Sequence, residues 1–339
     1  MHGTVRNFKY NIVGSRFATP IAILVALAMR IGFFLVQGIP RPAFPDTGFV
    51  WKYLPSFFEI PEVSFVLSTL AVFVIVWILS LLNDRFSLIH NRSNLPFIIP
   101  LIFFSSHPYF LLFTPDYISL IFILCAFFPL LSSYQKYETQ LYSFKSAVLI
   151  GIAGLFQVYA LVLLPLFWKG EFSMRRFYFK SFLSSLLGVV LVYWCAFGVF
   201  YFFDGTEGFI APFLSFAEIS IFERPEISPS EWISVAVAAL FFLTYMSLSF
   251  ASYARSKVLT HITLQFIIFV LFILVFLQIL YWEQTIFMSF PGIALLSFVI
   301  AYFYSTTVSK WAVRSFYFMT AVLAVFYLIN YFPFLDFSY

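Results

Sequence analysis

The chain has 339 residues, of which 62% are hydrophobic and only 10% charged, with a net charge of +4 at pH 7. An apolar composition arranged in long runs excludes a soluble globular domain and describes a polytopic membrane protein, with no nucleic acid expected among its partners. Cys125 and Cys195 both fall inside apolar runs, where a thiol behaves as a small hydrophobe, so they suggest neither a disulfide framework nor a metal site.

Runs of about the 20 residues that cross a bilayer occur at 18–37, 63–82, 95–113, 117–134, 181–203, 233–253, 260–281, 285–305 and 312–333. They predict an all-α protein with about nine transmembrane helices. The first run lacks a small-residue cleavage site after it and is read as a retained helix. Arg6, Lys9 and Arg16 precede it with no acid, which sets the N-terminus inside by the positive-inside rule and, by alternation, the C-terminus outside. On this assignment the inside segments hold fifteen basic residues against three acids. The outside segments hold twelve acids against Arg41, Lys52 and Arg224.

The run "SAVLIGIAGLFQVYALVLLPLFW" at 146–168 is bounded by Lys145 on one side and by Lys169, Arg175, Arg176 and Lys180 on the other. A single crossing would carry one basic cluster outside and invert every later loop, so a re-entrant helical hairpin is expected. Gly151 and Gly154 allow close approach or a break, Gln157 and Tyr159 supply polar groups at the turn, and Pro165 ends or kinks the second half. Irregular backbone at membrane depth persists only where protein buries it or a wet cavity receives it, which makes this segment interior. The chain divides into a membrane core (1–203), an acidic outer loop (204–232) and C-terminal helices (233–339).

"MRIGFF" puts Arg30 inside the first span, where a charge costs roughly 2.5 kcal/mol or more and is a functional candidate by default. The first outer loop (38–62) carries Asp46 within "FPDTGF" and an aromatic stretch, Phe49 to Phe58, suited to the membrane interface. In "SSHPYFLLFTPDY", His107 lies near the outer end of a span and Asp116 at its mouth. A surface carboxylate can act as general base toward an acceptor hydroxyl or amine, and a second can hold a divalent cation against a phosphate leaving group. Asp46 is the catalytic candidate and Asp116 the metal candidate, while Arg30, Arg41 and Lys52 are the cations for a phosphate and His107 joins the substrate-binding candidates. Each also has a structural reading: Asp46 and Asp116 as helix caps, His107 as a hydrogen-bonded interior histidine.

An arginine late in the first span followed by an outside aspartate, "MRIGFF" then "FPDTGF", resembles the start of the C-type membrane glycosyltransferases. The tight link ending at Asp116 and the broken "GIAGLFQVYALVLLPL" segment continue the resemblance over roughly the first 200 residues. It implies a catalytic Asp46, a cation (Mg or Mn) at Asp116, and a polyprenyl-phosphate sugar as donor on the periplasmic face of a bacterial inner membrane. The sequence departs from that pattern where Thr47 follows Asp46 in place of a second acid and where the second loop has no Asp-x-Asp. The segment "LLNDRFSLIHNRSNLPFIIPLIFFSSHPYF" (81–110) also resembles a group of multi-spanning Bacteroidota inner-membrane proteins. The alternative to an enzyme is a non-catalytic subunit or scaffold of the same architecture with membrane-protein partners. Spans that are almost wholly apolar argue against an ion-coupled pump.

Overall fold

A computed structural model of the chain describes residues 3–40, 48–54, 58, 60–89, 93–137, 140–174, 178–217, 229–252, 257–282, 285–307 and 309–332. Among the described residues all regular structure is helical, and eight helices are long and apolar enough to cross a membrane. A short α1 (Gly3–Phe8) and a π-helical turn (Lys9–Val13) precede α2 (Ala18–Gln37) and α3 (Pro61–Phe86). After them come α4 (Leu95–Phe103), α5 (Pro115–Ser132), α6 (Gln140–Phe156), α7 (Leu163–Met174) and α8 (Phe179–Leu214). The chain continues through α9 (Pro229–Ser252), α10 (Val258–Leu280), α11 (Ser289–Thr306) and α12 (Lys310–Tyr331).

Eight of the nine expected spans are these long helices; the run at 95–113 is not one. α4 stops after 9 residues, and the chain then follows an irregular path through a 3-10 turn (Pro108–Leu111) before α5 begins. The cause is local. Pro108 has no N–H to extend the helix, and the hydroxyls of Ser105 and Ser106 bond back to the carbonyls of Leu101 and Phe103. Mean hydropathy over this run does not register either effect.

The helices alternate in direction, which sorts their termini to two ends of the bundle. At the end where α5 begins, here the upper end, Ser64 of α3 accepts from Phe113 N, Phe290 of α11 packs on Tyr117, and Gln37 of α2 bonds to Asn330 O of α12. At the lower end Asn94 N reaches Val13 O, Ser93 bonds to Ser305, and Thr260 of α10 bonds to Leu88 O.

The 140–174 segment is a hairpin. Ser184 Oγ bonds to Gln140 O at the start of α6, and Trp168 on α7 donates to Ser185 at 2.8 Å, so both arms have their free ends at the lower end beside the start of α8. The turn lies at the other extreme, where Phe156 packs on Phe122 and Gln157 meets Asp116. The first arm, at 17 residues about 25 Å long, reaches nearly the full depth of the bundle. Gly151 and Gly154 serve close approach: a Cβ on Gly151 would lie 3.3 Å from Val192 of α8, and one on Gly154 would strike the Tyr193 hydroxyl. Such small-residue contacts hold helices together where burial from water supplies no drive. The break itself comes at Gln157, and Pro165 sits in the first turn of α7, opening the second arm instead of ending it.

The region expected to begin an acidic outer loop at 204 is helical as far as Leu214, with a kink at Gly205. Gly205 has φ +71°, a conformation that side-chain-bearing residues rarely adopt. It redirects "GFIAPFL" so that Phe209 and Phe213, one turn apart, pack on Phe49 at 5.5 and 5.2 Å. Residues 218–228 of that loop lie outside the described residues.

Candidate functional site at the upper end of the bundle

Arg30 lies seven residues before the end of α2, about 10 Å below the upper end, and is 1% exposed. Its guanidinium donates from Nε to Thr69 Oγ1 at 3.0 Å, from Nη2 to Ser68 Oγ at 2.7 Å and Phe110 O at 2.9 Å, and from Nη1 to Phe104 O at 3.2 Å. The Tyr117 hydroxyl also donates to Phe110 O, at 2.6 Å. Ser68 Oγ passes its own proton to Leu111 O, and Ser64, one turn earlier on α3, receives Phe113 N. Together these groups take up Phe104 O, Phe110 O, Leu111 O and Phe113 N, backbone polar atoms that the end of α4 leaves without helical partners inside an apolar bundle. Arg30 is therefore engaged by neutral groups of the fold, and a phosphate would have to displace them.

Asp116 stands in the first turn of α5, after Pro115 and the N-cap residue Thr114. It is buried, and its two oxygens accept from Thr114 Oγ1 at 3.0 Å and from Gln157 Nε2 at 2.8 Å. The bond to Gln157 ties the hairpin turn to the start of α5. Among the described residues no three His, Cys, Asp or Glu side chains come together as a metal site, and the amide N–H of Gln157 and the hydroxyl of Thr114 each donate to an Asp116 oxygen that a cation would compete for.

The first outer loop docks on the same turn. Phe49 N and Val50 N both donate to Leu155 O, at 2.8 and 3.2 Å, which satisfies a terminal carbonyl of α6 where the helix breaks. Gly48 packs so tightly that a Cβ there would lie 2.7 Å from the Phe156 carbonyl carbon and closer still to its oxygen. Beyond it a single 3-10 turn (Trp51–Tyr53) carries the aromatics outward: Trp51 lies 5.8 Å from Phe113, and Tyr53 stacks on Phe200 of α8 at 5.5 Å.

The other candidates separate. Asp46 and Arg41 lie outside the described residues. Lys52 is exposed, its ammonium 5.0 Å from the centroid of Tyr53. His107 is half-buried, stacks on Phe326, and accepts from Tyr109 N through Nδ1 at 3.2 Å, so it caps the 3-10 turn and presents no free lone pair from that nitrogen. The upper-end geometry thus joins Arg30, Asp116, Gln157 and Gly48 through backbone and hydroxyl groups, and Lys52 lies exposed on the surface.

Beside the docked loop, the flank of α8 carries an apolar groove of about 460 Å³ between Val50, Leu155, Leu191, Val192, Ala196 and Phe200. Tyr53, stacked on Phe200, stands at its upper rim, and Lys52 stands over Tyr53. Comparison of the chain with protein-family models, with curated proteins and with solved structures finds no match. The residues that sequence reasoning passed over are Ser64, Ser68, Thr69 and Gly48. A readable signal existed for the serines: Ser64 and Ser68 stand one turn apart on an apolar helix and so share a face. Nothing in the sequence marks the contact between Gly48 and Phe156.

Proposed function

We propose that the chain is a multi-pass protein of a bacterial inner membrane, with its basic lower end in the cytoplasm and its upper end on the periplasmic face, that transfers a sugar from a polyprenyl-phosphate donor to a protein or glycan acceptor. The observation that carries this reading is the apolar groove on the flank of α8 with the exposed cation Lys52 above its rim. A donor of this kind has an apolar tail held in the bilayer and a phosphate at the surface, and the groove and Lys52 offer the matching pair of environments. Arg41, from the same loop, is the second cation for that phosphate. Asp46 stands two residues before Gly48 in the sequence. It takes the proton of the acceptor hydroxyl as that oxygen bonds to the sugar anomeric carbon, while the polyprenyl phosphate departs with the electron pair of the broken C–O bond.

Arg30, Asp116 and His107 support this site by fixing the backbone around it, and no step is routed through a metal ion. The C-type glycosyltransferase core and the two-armed hairpin with both ends in the cytoplasm belong to the same reading. A photoactivatable polyprenyl-phosphate probe is expected to label α8 between Leu191 and Phe200. Labelling spread evenly over the other lipid-facing helices would remove the donor site.

A second reading, a non-catalytic subunit of an inner-membrane complex, is favoured by the way both Asp116 oxygens and the Arg30 guanidinium are engaged within the fold. It predicts partner proteins co-purifying from native membranes with no transfer activity.

A further inference from the structure

We propose that the lower-end surface made by residues 3–17 and the first turns of α12 binds the headgroup of an anionic phospholipid. The segment is built into the fold on one side. Val5, Phe8 and Val13 are buried, the Phe8 ring packs on Phe316 of α12 at 5.1 Å, and Asn94 holds the backbone through Val13 O and Ser15 O at 2.8 and 2.6 Å. Its other side carries Arg6 and Arg16 exposed and Lys9 partly exposed, and α12 adds the exposed Lys310 and Arg314. Neither 3–17 nor 309–318 contains an acid. Elsewhere at the lower end the described acids are Asp84 on α3, which accepts from Asn83, and Glu171 on α7.

Aromatic groups identify the occupant as a lipid in preference to a free anion. Tyr10 is 80% exposed, Phe17 76% and Trp311 74%, with the Arg314 guanidinium 5.0 Å from the Trp311 ring. Rings exposed beside cations at the ends of apolar spans are the pattern of a membrane interface, where the ring meets acyl chain and the cation meets phosphate. α2 and α12 rise from this surface with exposed apolar flanks, including Leu24 and Phe318, against which acyl chains can lie. Partial burial also pushes the Lys9 ammonium pKa below its ordinary value, a desolvation that an adjacent phosphate would offset.

The test reads Trp311 directly. Purified protein is placed in phosphatidylcholine bilayers, brominated phosphatidylglycerol or brominated phosphatidylcholine is titrated in, and the quenching lost in Trp311→Phe isolates that ring. The anionic lipid is expected to quench Trp311 with an apparent affinity at least tenfold above the zwitterionic one at low salt. Arg314→Gln is expected to reduce that preference about fivefold, the share of one surface cation. In the unaltered protein, raising salt from about 0.01 M to about 1 M shortens the screening length from about 30 Å to about 3 Å and should abolish the preference, a readout independent of any variant's folding. Equal quenching by the two lipids at low salt, or a preference indifferent to salt, overturns the proposal.

Discussion

Replacing Arg30 by methionine separates a structural guanidinium from a substrate-binding one. Methionine keeps most of the side-chain length and removes every donor. Phe110 O would still receive the Tyr117 hydroxyl, Ser68 would still donate to Leu111 O, and Thr69 would still donate to Phe65 O. Among the described residues Phe104 O alone loses its side-chain donor. The loss is then set by one orphaned buried carbonyl, about 1–3 kcal/mol. It is not the sum of four charged bonds, because the cost of holding a charge in an apolar interior disappears with it. Amide exchange over residues 105–113, measured by mass spectrometry in detergent, should accelerate by about 5- to 150-fold in consequence. Arg30→Lys should fall between the two, since one ammonium cannot span two carbonyls and two hydroxyls that approach from separate helices. Unchanged exchange in Arg30→Met would refute the reasoning and return Arg30 to the phosphate.

Three further outcomes follow from the same geometry. Gly48→Ala should displace the loop from the hairpin and break both bonds to Leu155 O, a loss of about 2 kcal/mol seen as new protease sensitivity between α2 and α3; an unchanged digestion pattern contradicts it. Asp116→Ala strips Gln157 and Thr114 of their acceptor and should destabilise by about 1–3 kcal/mol, whereas Asp116→Asn retains an acceptor oxygen and should stay within about 1 kcal/mol of wild type in thermal unfolding. Equal losses in the two variants would mean that the carboxylate's charge matters more than its hydrogen bonds. Val199→Trp should fill the groove on α8 and suppress labelling by the polyprenyl-phosphate probe with little change in melting temperature, because Val199 is exposed on the flank.

The long helices were legible because a run of about 20 apolar residues has one stable form in a bilayer. The hairpin was legible from charge: Lys145 and the cluster beginning at Lys169 demanded the same side, and the contacts of Gln140 and Trp168 with α8 put both ends together. The segment after α4 was missed because hydropathy averages over Pro108, Ser105 and Ser106, although each disfavours a continued helix. Arg30 was recognised as costly without its partners being visible. Two of them are carbonyls 74 and 80 residues away, exposed only because α4 ends early, so the misreading of one segment hid the role of the other. The groove on α8 has no sequence signature, since its lining is as apolar as every lipid-facing surface around it.

The most direct test of the functional claim is a transfer assay with purified protein in lipid, using radiolabelled polyprenyl-phosphate mannose as donor and a periplasmic extract as acceptor, for wild type and Asp46→Asn side by side. Label transferred by wild type and lost in Asp46→Asn, with unchanged expression and melting temperature, is the predicted result. Transfer undiminished in Asp46→Asn would remove Asp46 as the base, and no transfer by either protein would contradict the enzyme reading in favour of the subunit.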